Sequence, residues 1–335
     1  MNHKHLPLIS ALAIMTASTS AYAELKNFNV SGLVETEVSF TNSDSNGDSS
    51  DIAVPTVELA IETTFSEQVS ANIVLLAEDI GTADQTDVTV DEATLSLPLG
   101  GATLTIGQTT VPFGSYESSG ISDPLTLTLG ETAETVIMYG REMESGLSYS
   151  AYVFSGDTLD SSGEKKINDL GFNIAMTQDA WSAGIGYISN IADSDTIGDI
   201  GATITDDIAG LDLNASFNTG AITILFEHVM AMDDFVAGDL GQNDDTPPAN
   251  NITATAQPSA THIEVSMDLG GDSSIALSLS SSDEAAEFGL YENATAVIYS
   301  ATVREHLGYA VEFMQADEYG SNSDTIVTVQ MALEF

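Results

Sequence analysis

The stretch FNVSGLVETEVSF, Phe28 to Phe40, sets the reading of the whole chain. Its even positions Phe28, Val30, Val34, Val38 and Phe40 are mostly apolar, and its odd positions Asn29, Ser31, Glu35, Glu37 and Ser39 are mostly polar. A period of two puts the two sets on opposite faces of a β-strand. The run is longer than the 5–6 residues common in soluble sandwiches (about 17–20 Å). At about 3.3 Å per residue and a tilt near 40°, Phe28 and Phe40 stand about 30 Å apart on the apolar face. They bracket a band of about 25 Å, with one aromatic at each rim.

The pattern recurs outward from there. PTVELAIETTF (55–65) places Val57, Leu59, Ile61 and Phe65 on one face, with Glu58, Glu62 and Thr64 on the other. DTIVTVQMALEF (324–335) places Val327, Val329, Met331, Leu333 and Phe335 opposite Thr328, Gln330 and Glu334. Sixteen such segments are expected: 28–40, 52–65, 70–78, 88–97, 102–108, 133–141, 147–155, 167–176, 181–189, 210–217, 221–230, 261–268, 273–280, 293–302, 307–314 and 324–335. Short connections such as PLGG (98–101) and NTGA (218–221) alternate with long ones such as TNSDSNGDSSD (41–51) and the run over 231–260. The expected fold is all-β: a closed antiparallel transmembrane β-barrel of about sixteen strands, with short periplasmic turns and long external loops. A barrel of that size is wide enough for an aqueous channel.

The first 23 residues read as an export signal: Lys4 in a short polar start, an apolar run from Leu6 to Met15, and the small-x-small ending Ala21-Tyr22-Ala23. The barrel domain is then 24–335, and the expected location is the outer membrane of a Gram-negative bacterium, in contact with lipopolysaccharide. No run of 18 apolar residues follows, and the chain has no cysteine.

Acids outnumber bases 51 to 6, a formal charge of −45. Such a chain repels phosphate backbones, so nucleic acid is not an expected partner. Strand parity points Glu35, Glu37, Glu58, Glu62, Glu78, Glu92, Glu227 and Glu312 into the lumen, with Arg141 as nearly the only strand cation beside them. An acidic lumen favours cations over anions. Beyond the leader the histidines are His228, His262 and His306, without metal spacing or a nucleophile-base set, so no enzyme is expected. His228 shares parity with Ile224 and Phe226, His262 falls at a strand start, and His306 lies in a short turn. The acidic pieces SDSNGDSSD (43–51) and GQNDD (241–245) fall short of a calcium-loop pattern and read as solvated. No cofactor or metal is expected.

One stretch breaks the alternation: GQTTVPFGSYESSGISDPLTLTLGET, Gly107 to Thr132. By count it is the third external loop. Pro112 stops strand pairing, Gly114 permits a bend, and Asp123-Pro124 starts a new turn. Leu125, Leu127 and Leu129 alternate with threonines and argue against full exposure. The loop is expected to fold into the lumen as a constriction carrying Pro112, Phe113, Gly114, Tyr116, Glu117, Asp123, Pro124 and Glu131.

The same residues carry a family resemblance. Gly107, Pro112-Phe113-Gly114, Tyr116-Glu117, Ser122-Asp123-Pro124-Leu125-Thr126 and Gly130-Glu131-Thr132 resemble the signature of the LbtU family of siderophore porins. VDEATLSLPL, AGIGYISNIADSD and GLDLNASF are similar to other parts of it. The resemblance implies an outer-membrane barrel and, as solute, an iron-siderophore complex. Two alternatives stay open beside it: a general diffusion porin for cations and small neutral nutrients, and an adhesin or structural barrel with a closed lumen. Porins of this size are often homotrimers, and the sequence leaves the oligomeric state open.

Overall fold

The computed structural model describes residues 27–66, 69–82, 85–159, 167–197, 202–242 and 252–335. The expected leader (1–23) and part of GQNDD lie outside them. Sixteen strands form one closed antiparallel barrel. They are β1 (Asn27–Ser43), β2 (Ser49–Ser66), β3 (Val69–Ile80), β4 (Thr89–Pro98), β5 (Thr103–Thr110), β6 (Ala133–Glu142), β7 (Leu147–Phe154) and β8 (Asp169–Gln178). There follow β9 (Trp181–Ile188), β10 (Gly210–Asn218), β11 (Ile222–Ala231), β12 (Ser259–Asp268), β13 (Ser273–Asp283), β14 (Asn293–Arg304), β15 (Leu307–Asp317) and β16 (Ser323–Glu334). All sixteen expected segments are strands.

Each strand pairs with its sequence neighbour, and β1 closes on β16 from Leu33↔Glu334 to Ser43↔Asp324. The last residue seals the seam: Gly32 N donates to Phe335 O at 2.9 Å, and Phe335 N donates to Gly32 O at 3.0 Å. A Cβ on Gly32 would lie 2.6 Å from the Phe335 ring, so glycine makes the seat for the terminal aromatic.

The outer face is apolar and uncovered. Leu213, Ile263, Leu277, Val297, Phe313 and Met331 are all exposed, on six different strands. A water-facing surface would rarely show so much contiguous apolar area; a membrane-spanning barrel requires it. Aromatic pairs mark the short-turn rim, with Tyr139 and Tyr149 at 6.4 Å and Tyr299 and Tyr309 at 6.0 Å between ring centres.

The strands are longer than the apolar alternation. β1 and β2 continue through Thr41, Asn42 and Ser49 into a tight hairpin, where Asn42 Nδ2 donates to Asp48 Oδ1 at 2.5 Å. The expected long loop 41–51 is therefore mostly strand. Pairing needs backbone hydrogen bonds, not apolar side chains, so it persists above the apolar band.

The long loops on the β7–β13 side fold together. Ile191, Ile208, Phe235, Leu240, Ile252 and Phe288 from three loops share one buried cluster. Short bridges join them, with Ala202–Thr203 pairing Gly241–Gln242 and Leu159 pairing Thr203. Carboxylates complete the roof. Asp193 accepts from Thr158 N and Oγ1 at 2.9 and 2.6 Å, and Asp239 accepts from Thr205 N and Oγ1 at 2.8 Å. No comparable cluster forms among the described loop residues over β1–β4.

Candidate pore constriction

The loop between β5 and β6, called L3 below, leaves the wall at Val111, whose N–H donates to Thr132 O at 2.8 Å. That bond closes the neck. Pro112 follows, and Phe113 turns inward and is fully buried. The wall is cut to receive it. A Cβ on Gly186 of β9 would lie 1.7 Å from Phe113 O, and one on Gly210 of β10 would lie 3.0 Å from the Phe113 ring. Glycine at these two sites lets L3 lie against the strands. Ile188, Val229 and Phe154 from the wall, with Val111 and Leu129 from the loop, complete an apolar core inside the barrel.

After Phe113 the loop runs along the wall, and three glutamates take its donors in turn. Glu227 on β11 accepts from Ser115 N at 2.7 Å, Tyr116 N at 2.9 Å and Thr126 Oγ1 at 2.8 Å. Glu264 on β12 accepts from Ser119 N at 3.0 Å, Ser119 Oγ at 2.6 Å and Ser118 Oγ at 3.1 Å. Glu312 on β15 accepts from Ile121 N at 2.8 Å and Ser122 Oγ at 2.6 Å. Donor pairs thus recur every three residues, at 115–116, 118–119 and 121–122. Each carboxylate is nearly solvent-free and gains charge-assisted hydrogen bonds in place of water. Tyr116 is held at φ 53°, a left-handed value that costs a tyrosine about 1–2 kcal/mol. The two N–H bonds to Glu227 hold it there.

Asp123-Pro124 then starts a short helix, α1 (Leu125–Gly130). The Leu–Thr alternation is expected to keep this part of the loop from full exposure, and it does so as a helix. Leu125 and Leu129, four apart, share the buried helix face with Thr126, while Leu127 is only half-buried. Leu127 N donates to Pro124 O and Glu131 N to Leu127 O, both at 2.9 Å. The helix packs against β11, β12 and β13.

L3 covers one side of the lumen and leaves the other open. Glu35 and Glu37 on β1, Glu58 and Glu62 on β2, Glu78 on β3 and Glu92 on β4 all sit at inward positions, opposite outward Val34, Val57, Leu75 and their neighbours. Glu37 Oε1 accepts from Gln330 Nε2, and Glu92 accepts from Asn72 Nδ2, each at 2.8 Å. From L3, Glu117 and Asp123 face solvent. Desolvation first, then the fields of Glu312 and Glu35, raise the Asp123 carboxyl above its ordinary value. Burial pushes Glu131 up to about 7, helped by Asp195, Asp123, Asp91 and Glu78. Glu131 and Asp195 are backbone neighbours, since Asp195 N donates to Glu131 O at 2.8 Å.

Arg141 is not beside these acids. It shares parity with outward Ile137 and Tyr139 and ends β6 at the short-turn rim. An extended strand cannot put residues two apart on opposite faces. Arg304 ends β14 at the same rim, and these two are the only lysines or arginines among the described residues. His228 is outward, with Nδ1 2.9 Å from Thr261 Oγ1, and His306 lies in a short turn. His262 is not at a strand end; it is buried on the inner wall. Sequence reasoning missed Glu264, although its parity opposite Ile263 and Val265 placed it inward. It also missed buried Asp212, which accepts from Asn214 Nδ2 at 2.5 Å.

No family model matches the chain. A UPF0422 protein of Coxiella burnetii is 25% identical over 263 residues, covering 69% of this chain and 55% of that protein. The UPF0422 protein lpg2959 of Legionella pneumophila is 28% identical over 196 residues, 54% of this chain and 36% of that one. The chain thus spans about half the length of the first relative and about a third of the second. Among solved structures, the outer membrane channel DcaP of Acinetobacter baumannii superposes with a TM-score of 0.67 at 13% identity, over 94% of this chain and 99% of that one. OmpF of Salmonella typhi, in complex with daunomycin, gives 0.66 at 11% identity, over 92% and 97%. OmpT of Vibrio cholerae in its trimer form gives 0.60 at 11% identity, over 92% and 99%. The fold is that of the sixteen-stranded outer-membrane porins.

Proposed function

We propose that the protein is an outer-membrane porin that gives small solutes passive passage through an acidic lumen, with a preference for cations. The carrying observation is the division of the lumen: L3 is clamped to β11, β12 and β15, and unclamped acids line β1 to β4 opposite it. A negative wall lowers the barrier to cations and raises it for anions. The porin fold supports this reading, and so does the placement of Arg141 and Arg304 at the rim.

The finer reading is an iron-siderophore complex as solute, in keeping with the motif from Gly107 to Thr132. The leader 1–23 is then cleaved, the long loops face the medium and lipopolysaccharide, and the barrel assembles as a homotrimer, as OmpT does in its trimer form. Uptake of a radiolabelled ferric siderophore by a porin-deficient host tests the solute. Uptake faster than that of an unrelated solute of similar size is expected. Equal rates would leave a general cation-preferring porin, and a barrel without conductance in planar bilayers would be a structural or adhesive one.

A further inference from the structure

Among the described residues, His262 is the one imidazole on the inner wall, and the constriction as described does not use it. The ring is buried. Its Nδ1 lies 2.9 Å from Ser280 Oγ on β13. Its Nε2 has no hydrogen-bond partner and lies 3.9 Å from Glu264 Oε2. That oxygen also accepts from Ser118 Oγ and Ser119 N. One carboxylate therefore stands between a buried imidazole and the middle of L3.

The charged groups around the ring are all acids. They are Glu264 on its own strand, Glu227 on β11 and Glu117 of L3, which lines the same narrow cleft. Ser280 of the flanking β13 and Asn214 of β10 are neutral. No lysine or arginine among the described residues competes, since both arginines end strands at the short-turn rim.

We propose that His262 and Glu264 form a proton-operated latch on L3. A neutral imidazole leaves Glu264 to Ser118 and Ser119. With the neutral ring's proton on Nδ1, toward Ser280 Oγ, protonation adds an Nε2–H, which in a site nearly closed to water has Glu264 as its nearest carboxylate. A small side-chain rotation brings them together. Oε2 already accepts from Ser118 Oγ and Ser119 N, so the incoming imidazolium N–H displaces one of them, and L3 loses one charge-assisted hydrogen bond. Glu227 and Glu312 still hold the flanks, so the middle of L3 loosens while its ends stay docked. The latch opens on acidification through and below the usual imidazole range, about 6.5.

The test uses a nitroxide on L3. The chain has no cysteine, so Glu117→Cys, at an exposed side chain next to the Glu264-held pair Ser118 and Ser119, takes a single label in the full-length folded barrel. Spectra are compared between about pH 7.5 and about pH 5, values that straddle imidazole titration. The mobile fraction is expected to rise about tenfold, the effect of losing one charge-assisted hydrogen bond. The rise should vanish in His262→Asn. It should also vanish in Glu264→Gln, which keeps an acceptor for Ser119 but cannot form an ion pair. An equal rise in all three backgrounds overturns the latch. Glu131 titrates near the same range at the other end of L3, so the difference between backgrounds carries the result. Because the readout is loop mobility, it separates the latch from the porin reading: a silent channel with a responding label defeats only the latter. A conducting channel whose label does not respond defeats only the latch.

Discussion

From β9 to β13 the inner wall is dry, and from β16 through β4 it is wet. On the dry side Ile188, Val229, Phe113 and Leu129 pack in a core, and the inward carboxylates Glu227 and Glu264 are filled with donors from L3. On the wet side Glu35, Glu37 and Glu58 are only half-buried. Both sides use the same residue type. The difference lies in what faces the carboxylate. Where a loop supplies N–H and O–H groups, glutamate is a clamp; where water does, it is a fixed negative charge on the open side of the lumen. A chain with 6 basic residues and 51 acids cannot satisfy its carboxylates with lysine and arginine. In L3 and in the loop roof it uses backbone N–H groups instead.

This contrast can be broken most forcefully at Phe113. Phe113→Ala removes the anchor of the dry side and should destabilise the docked loop by about 3–5 kcal/mol, the usual cost of emptying an aromatic site. Limited proteolysis within L3 should rise steeply. The same change at Phe40, exposed on the outer rim, should leave L3 protected. Next comes Glu227→Ala, which strands the N–H groups of Ser115 and Tyr116 and the hydroxyl of Thr126. Each unmet buried donor costs about 1–3 kcal/mol, so urea unfolding should shift clearly, while Glu58→Ala on the wet side should not shift it.

On the wet side the expected effects are electrostatic. Asp123→Asn with Glu35→Gln should lower the cation-to-anion permeability ratio in bilayer recordings, with L3 still protease-resistant. A loss of protection would mean these acids also hold the loop.

The smallest effect is at Glu131. Its carboxyl is raised to about 7, so ionisation disfavours the docked loop. The stability it contributes is fully present below the ordinary carboxylate range, about 4.3, and is lost as pH rises through about 7. Cation preference should therefore grow from mildly acidic to mildly basic conditions, and Glu131→Gln should flatten that part of the curve.

The barrel itself was legible because its two faces meet different solvents, so residues such as Val34 and Glu35 had to alternate. The limits of that signal are physical too. The apolar alternation ends at Phe40 while β1 continues to Ser43, because backbone pairing outlasts apolar contact. The Leu–Thr alternation after Pro124 concealed a helix, since a six-residue segment offers too few turns to reveal its period. That L3 folds inward followed from Pro112, Gly114 and three leucines. Its docking wall did not, because Ser115, Ser119 and Ile121 meet acceptors 112, 145 and 191 residues away. Glu264 was readable by parity alone, and so was the outward placement of Arg141.

The central claim is that a cation-preferring water path runs between L3 and the acidic wall of β1 to β4. The zero-current potential of the purified barrel in a planar bilayer under a KCl gradient tests it most directly. A potential of the sign set by K⁺ is expected, shrinking toward zero in Asp123→Asn with Glu35→Gln. A potential of the sign set by Cl⁻ would contradict it.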